Sequence, residues 1–299
     1  MEPVLVTGAA GGQQGSTGRQ VATLLLAQGQ AVRAFVRTDD ARAAELRRLG
    51  AEVVVGDLRE IADVLSAVRG VRRAFFTYPV TEGLLDATGA FAAAARHEGL
   101  ERVVEVSQLA AAPDAGTPRM RQHWVSEQVF DRAGVGAVHL RAAVFFENLA
   151  VLAAAGGGLG LVVPLGPPDT VIPLVAAADV ARVATNLLLG PSRDVDPVCR
   201  LAGEILTVGE VADAFSAAAG HEVKYVDAPP DEWRRQALAA GFDPHAVEHL
   251  SKLWEIFRTT RSDDSLYRVT GSIEQIGGQR PVTLREFLRT HADAGRRSA

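Results

Sequence analysis

A chain of 299 residues, 47% hydrophobic and 22% charged, is long enough for one large or two modest domains and for a sizeable core. The net charge of −5, with no strongly basic block, speaks against nucleic acid as a partner. One cysteine, Cys199, excludes an intrachain disulfide and any Cys/His metal cluster, so no metal is expected. No basic and apolar leader opens the chain, and the longest apolar stretch, around 149–163, is interrupted by glycines and too short to cross a bilayer. The expectation is a cytoplasmic protein, monomer or homodimer, with a small-molecule ligand and no membrane contact.

Residues 3–7, Pro-Val-Leu-Val-Thr, are apolar and β-branched and predict a strand. A glycine-rich stretch over 8–18 follows, and residues 19–29 read as a helix that stops at Gly29. Strand, glycine-rich turn and helix is the setting in which such a turn holds a dinucleotide. One glycine turns sharply with positive φ, a second lets a diphosphate approach the backbone, and a third lets the helix pack tightly on the strand. Gly8, Gly15 and Gly18 take these places. Backbone N–H groups from Gln14 and Gly15 through Ser16, Thr17 and Gly18 would then face the phosphates at the positive end of the helix. The turn is roughly four residues longer than the compact form of the motif, with Gly11-Gly12-Gln13-Gln14 as the extra material.

Further strands are predicted over 31–36, 52–55, 71–77 and 102–107, with helices over 39–49, 59–68 and 82–97 between them. The strands are too continuously apolar to have one wet face. That pattern means an α/β fold, a Rossmann-type doubly wound parallel sheet with helices on both faces. Ligands in such sheets bind outside the carboxyl ends of the strands. Arg37 ends the second strand, where an arginine accommodates the 2′-phosphate of NADPH and a carboxylate would hold the 2′-OH of NADH. Asp39 and Asp40 follow closely and leave NADH possible. Asp57 can accept from an adenine amino group with Leu58 on the ring, or can N-cap the helix after it. Thr77 and Tyr78 fall near the nicotinamide ribose. Ser107 and Gln108 end the fifth strand, within reach of nicotinamide or substrate.

The stretches Val6-Thr7-Gly8-Ala9-Ala10, Arg37, Gly56-Asp57-Leu58, Leu140-Arg141, Phe145-Phe146-Glu147-Asn148-Leu149, Asp179-Val180-Ala181 and Pro281 through Leu288 resemble the NmrA-like branch of the atypical short-chain dehydrogenases/reductases. The resemblance spans essentially the whole chain. It implies NAD(P) binding, and an activity among NADPH-dependent quinone reductases, other small-molecule reductases, or regulators that bind NADP without turning it over. The wider superfamily uses Tyr-x-x-x-Lys after the fifth strand. Here Tyr78, Tyr225 and Tyr267 all lack a lysine four residues on. Anchored on Glu127, the resemblance puts His123 at the lysine position and Arg119 at the tyrosine position. Arginine cannot supply a proton at neutral pH, so the usual general acid is missing. His123 is the titratable candidate, as a proton-transfer group, a ribose or substrate contact, or simply the partner of Glu127 one turn away.

A sixth strand is predicted over 136–140. Phe145, Phe146 and Asn148 follow, which the resemblance places at a substrate pocket, although phenylalanines in a core read equally well. Gly156-Gly157-Gly158 with Leu159-Gly160 suggests a mobile lid. Helices over 177–189, 211–219, 231–240, 244–257 and 283–291 and a strand over 222–226 complete the chain, with a capping box from Thr207 to Glu210. Trp233, Leu250 and Trp254 are pocket or core. The expected division is a dinucleotide-binding domain over 1–155, with contributions from about 170–205, and a substrate lobe over 156–299. The expected function is NADPH-dependent hydride transfer to a quinone-like or conjugated carbonyl compound. The alternatives are a non-catalytic NADP sensor, and a ketoreductase or isomerase of a specialised pathway.

Overall fold

The computed structural model describes residues 2–12, 16–155, 160–190, 196–260 and 263–297. Its first half alternates strictly: β1 (Val4–Thr7), α1 (Thr17–Ala27), β2 (Val32–Val36), α2 (Ala41–Arg48), β3 (Glu52–Val55), α3 (Ile61–Val68), β4 (Arg73–Phe76), α4 (Leu84–Glu98), β5 (Arg102–Gln108), α5 (Pro118–Ala133) and β6 (Ala137–Ala142). The second half runs β7 (Val144–Phe145), α6 (Phe146–Ala155), β8 (Gly160–Val163), β9 (Val171–Val175), α7 (Ala177–Leu189), β10 (Val198–Leu201), β11 (Glu204–Thr207), α8 (Val208–Ala219), β12 (Lys224–Asp227), α9 (Pro230–Ala239), α10 (Pro244–Thr259), α11 (Ser272–Gly277) and α12 (Leu284–Arg297), with a 3₁₀ turn at Ser265–Tyr267 before α11.

Seven strands form one parallel sheet in the order β10-β6-β5-β4-β1-β2-β3. The chain winds outward in one direction from β1 and then in the other from β4. The crevice between the carboxyl ends of β1 and β4 is therefore the topological switch point, where such sheets bind ligands. Thr7 ties the two ends together there: its hydroxyl donates to the Thr77 carbonyl at 3.0 Å and accepts from the Thr77 N–H at 2.8 Å.

Alternate residues of β1 explain why both faces are apolar. Val6 packs with Val21, Leu25, Val180 and Leu187 under α1 and α7. Leu5 packs with Phe76, Phe91 and Phe130 on the opposite side, under α4 and α5. The Phe76 ring centroid lies 5.0 Å from Phe91 and 5.2 Å from Phe130. On this same side a buried ion pair pins α5 to the sheet. His139 meets Glu105 through Nδ1 at 2.6 Å and Asp131 through Nε2 at 3.0 Å. Burial alone would lower its pKa, but the two carboxylates push it up to about 9.

The helices start where local chemistry allows. Asp40 caps α2 through Oδ1 (2.9 Å to the Arg42 N–H), Thr117 caps α5 with Pro118 behind it, and Thr207 with Glu210 forms the expected capping box on α8. A third cluster of buried apolar residues, including Phe146, Trp233, Trp254 and Phe287, forms over the carboxyl end of the sheet from the later elements. A three-stranded sheet β11-β9-β7 and the pair β12-β8 belong to it. The sequence reading expected strand contributions from about 170–205 but gave no bounds for β9 through β11, and it did not read β7 or β8 as strands. Pro164, Pro167, Pro168 and Pro173 punctuate that region, and Pro173 sits inside β9, where a proline removes a ladder donor.

Candidate functional site

One cavity of about 760 Å³ opens at the switch point and runs from the glycine turn to the apolar cluster above the sheet. Gly8 adopts φ +62°, and a Cβ there would lie 2.7 Å from the Thr77 Cγ2. Gly18 is closer still, since a Cβ would fall 2.5 Å from the Thr7 carbonyl oxygen and 2.7 Å from that of Gly8. The sharp turn and the tight helix-on-strand contact thus fall on Gly8 and Gly18. Helix α1 begins at Thr17, two residues earlier than the periodicity suggested, so its free N–H groups open toward the cavity wall that Thr17 and Gly18 help to form. Ser16 is not on that wall; its hydroxyl accepts from the Gln20 amide at 2.8 Å. Gln14 and Gly15 lie outside the described residues, as do Gly156, Gly157, Gly158 and Leu159 of the expected lid.

Arg37 borders the same cavity with its side chain 78% exposed and lies 3.9 Å from the Asp57 carboxylate. The two carboxylates that left NADH possible are occupied. Asp39 pairs with Arg47 at 2.7 and 2.9 Å, and Asp40 is taken by its capping role and by Arg42. Arg42 also reaches the wall, donating to the Gly11 carbonyl at 3.0 Å, and the sequence reading overlooked it. Asp57 and Leu58 line the cavity beside them. The Asp57 carboxylate accepts from the Arg59 side chain and N–H, which lowers its pKa to about 2. It caps the turn leading to α3; the N-cap position itself belongs to Glu60.

Thr77, Tyr78, Ser107, Gln108, His123, Phe145 and Asn148 all border the inner part of the cavity. Of the roles open to His123, pairing with Glu127 does not occur. Glu127 faces the other way, accepting from Ser107 Oγ at 2.6 Å, Arg141 Nε at 2.9 Å and Arg141 Nη2 at 2.5 Å. His123 Nδ1 is buried with no hydrogen-bond partner among the described residues. Burial, then the positive charge of Arg119, then His249, hold the His123 pKa well below 6.5. The Ser107 proton is committed to Glu127, so its hydroxyl offers only lone pairs to the cavity.

His249 on α10 was not anticipated. Its Nε2 lies 3.1 Å from Gln108 Nε2 and its Nδ1 3.2 Å from Thr117 Oγ1. The Gln108 amide has only N–H groups to give, so His249 accepts at Nε2 and carries its proton on Nδ1. Burial and Arg119 lower its pKa to about 3, consistent with a neutral ring. Gln108 Oε1 is buried without a partner among the described residues. The far wall is apolar: Met120, Val144, Leu152, Leu250, Leu253 and Phe257.

Phe146 corrects an expectation. It is fully buried, with its ring 5.6 Å from Phe287, and does not line the cavity. It starts α6 while Phe145 ends β7, so consecutive side chains diverge, and only Phe145 reaches the wall. Trp233 and Trp254 pack edge to face in the core at 6.4 Å, whereas Leu250 does line the cavity. No group of metal-ligating side chains and no helix long and apolar enough to cross a membrane occurs among the described residues.

The family profile described as "NmrA-like family" matches residues 2–291. The NAD(P)H azoreductase of Xenophilus azovorans is 28% identical over 286 residues, 95% of this chain and 97% of that protein. An NADPH-dependent quinone oxidoreductase of Escherichia coli, solved with NADPH, superposes with a TM-score of 0.78 at 21% identity, covering 96% of this chain and 99% of its own. The negative transcriptional regulator NmrA in complex with NADP gives 0.76 at 18% identity, covering 100% and 98%. With its glycine turn, its parallel sheet and a match along nearly its full length, the chain belongs to the NmrA-like family.

Proposed function

We propose that the protein is an NADPH-dependent reductase of a quinone-like or conjugated carbonyl compound. The observation that carries this reading is one continuous cavity that joins the glycine turn to an apolar chamber, with His123 on its wall and no Tyr-x-x-x-Lys pair in the chain. The azoreductase relative and the quinone oxidoreductase neighbour support it. Gly8, Gly18 and the first N–H groups of α1 cradle a diphosphate, and a side chain at either glycine would fill that cradle. Arg37, with Arg42 beside it, receives the 2′-phosphate. Asp57 and Leu58 border the adenine; Thr77, Tyr78 and the Ser107 lone pairs border the nicotinamide ribose. When bound, NADPH supplies a hydride, two electrons and one proton, from its nicotinamide ring. Phe145, Asn148 and Gln108 orient a flat acceptor against the apolar wall. We read residues 1–155, with contributions from about 170–205, as the cofactor part and 156–299 as the substrate lobe.

Two expected results follow from this assignment. Arg37→Ala should weaken NADPH binding about ten- to hundredfold, because a charge-assisted contact is worth roughly 1.5–3 kcal/mol. NADH affinity should hardly change; titration calorimetry showing equal losses for both cofactors would refute the assignment. His123, being neutral, orients the acceptor and does not protonate it, so water supplies the proton. Both histidine pKa values are depressed, which means their charged forms appear only well below pH 6.5. The rate kcat/KM for a quinone that does not itself titrate should therefore be flat from about pH 5.5 to 8. A break near pH 6.5 that disappears in His123→Gln would restore His123 as the acid.

The decisive experiment is NADPH oxidation by the purified protein against quinones, enones and isolated ketones. Turnover of the first two and not the third is expected. Turnover of isolated ketones would favour a ketoreductase. Tight NADPH binding without turnover of any acceptor would favour the sensor reading, to which the missing acid and the NmrA neighbour lend weight.

A further inference from the structure

Arg119 is 1% exposed on α5, one helical turn before His123. It donates to three backbone carbonyls: Thr81 at 3.0 Å, Tyr78 at 3.2 Å and Pro79 at 2.7 Å. Its Nε is buried without a partner, and no carboxylate pairs with it among the described residues. Carbonyl dipoles satisfy donors but bring no compensating charge. Desolvation draws the Arg119 pKa down to about 10, which still leaves the guanidinium charged at neutral pH. A buried cation without a counterion is costly, and its usual remedy is an anion close by.

The place of this charge gives it a use. Tyr78, Pro79 and Thr81, whose carbonyls it holds, all line the cavity, as does His123 one turn on. Arg119 thus lies one layer behind the inner wall, beside Tyr78, with its Cζ 6.0 Å from the ring centroid. Few other charges border the cavity. Arg37, Arg42 and Asp57 stand at the glycine-turn end. Asp243 also lines the wall, but its Oδ1 accepts from the His245 and Ala246 N–H groups at the start of α10. His123 and His249 are neutral. The inner chamber therefore lies in front of a buried positive charge that no carboxylate pairs with among the described residues, while Asp243 on the wall is held at the start of α10.

We propose that Arg119 sets the charge selectivity of the inner chamber, favouring acceptors that carry or acquire negative charge and rejecting cationic ones. This rests on the reductase reading. A neutral quinone that receives a hydride gains two electrons and one proton and becomes a hydroquinone monoanion. Water then protonates it and leaves as hydroxide. The negative charge arises in front of Arg119, so the same residue that selects anions stabilises the reduced acceptor.

The test uses three naphthoquinones of one skeleton: a 2-sulfonate, the neutral 2-methyl compound, and a 2-trimethylammoniomethyl cation. Binding is measured by tryptophan fluorescence on protein loaded with 1,4,5,6-tetrahydro-NADP, whose ring is neutral and yields no hydride. The sulfonate should bind at least tenfold tighter than the cation, with the neutral compound between them. Arg119→Met should collapse that ratio toward one, and Arg119→Lys should retain it. NADPH oxidation rates with the same three compounds should follow the same order. Equal affinities, or a preference for the cation, in the wild-type protein would overturn the proposal even if Arg119→Met does not fold. Absence of turnover with all three would defeat the reductase reading, while the binding ratio would still decide the charge selectivity.

Discussion

Arg141→Met is expected to destabilise the protein by about 3–5 kcal/mol, the cost of leaving one member of a buried ion pair alone. Glu127 is 2% exposed in its side chain and accepts two bonds from Arg141 and one from Ser107. Methionine matches much of the arginine's length and keeps the packing, so the loss isolates the charge. For a chain of 299 residues the melting temperature should fall by roughly 5–8 °C. Thermal unfolding followed by circular dichroism measures it. Adding Glu127→Gln to Arg141→Met should recover part of the loss, because a neutral amide no longer needs a counterion. A drop of less than about one degree in the single variant would mean that water reaches Glu127 and that the pair is not a buried one.

That pair also shows where sequence reasoning stopped. Helical spacing put His123 one turn from Glu127 and made pairing between them one of its possible roles. The carboxylate instead crosses to Arg141 on β6, a contact set by which face of α5 meets the sheet. His249 was out of reach for a similar reason: it meets Gln108 across 141 positions, and no local period encodes that distance. What was legible was local. β1 to β6 announced themselves as apolar runs, several of them preceded by helices that stop at Gly29, Gly50 and Gly99, and the glycine turn by the strand and helix on either side of it. The place of Arg37 on the cavity wall was legible because the carboxyl ends of parallel strands collect ligands whatever the ligand is. Phe145 and Phe146 could not be told apart, since the strand-to-helix junction that separates their side chains has no signature in a run of apolar residues. β9 was hidden by Pro173, a residue that ordinarily argues against an internal strand.

Gly18→Ala should produce the other large effect, and it isolates the contact on which cofactor binding depends. Gly18 lies in the first turn of α1, where alanine is intrinsically the better helix former by about 1 kcal/mol. Propensity therefore predicts a gain. Sterics oppose it: the new Cβ would meet the Thr7 and Gly8 carbonyl oxygens at 2.5 and 2.7 Å and the Gly8 carbonyl carbon at 2.8 Å. All three atoms are backbone, so no side chain can swing aside, and α1 must lift from β1. Overpacking of this kind costs about 1–3 kcal/mol. The larger effect falls on the dinucleotide, since lifting the helix moves its N-terminal N–H groups off the diphosphate. Losing one or two charge-assisted hydrogen bonds of roughly 1.5–3 kcal/mol each would weaken NADP binding about a hundredfold. Gly89→Ala is the matched control. Gly89 is exposed in the interior of α4, and a methyl group there would meet nothing within 4 Å, so the same substitution should stabilise slightly and leave NADP affinity alone. Calorimetric titration of NADP into both variants, with their melting curves, separates the two terms. Should Gly18→Ala bind NADP as tightly as the unaltered protein, the diphosphate does not sit on the start of α1, and the cofactor assignments built on that turn fall with it.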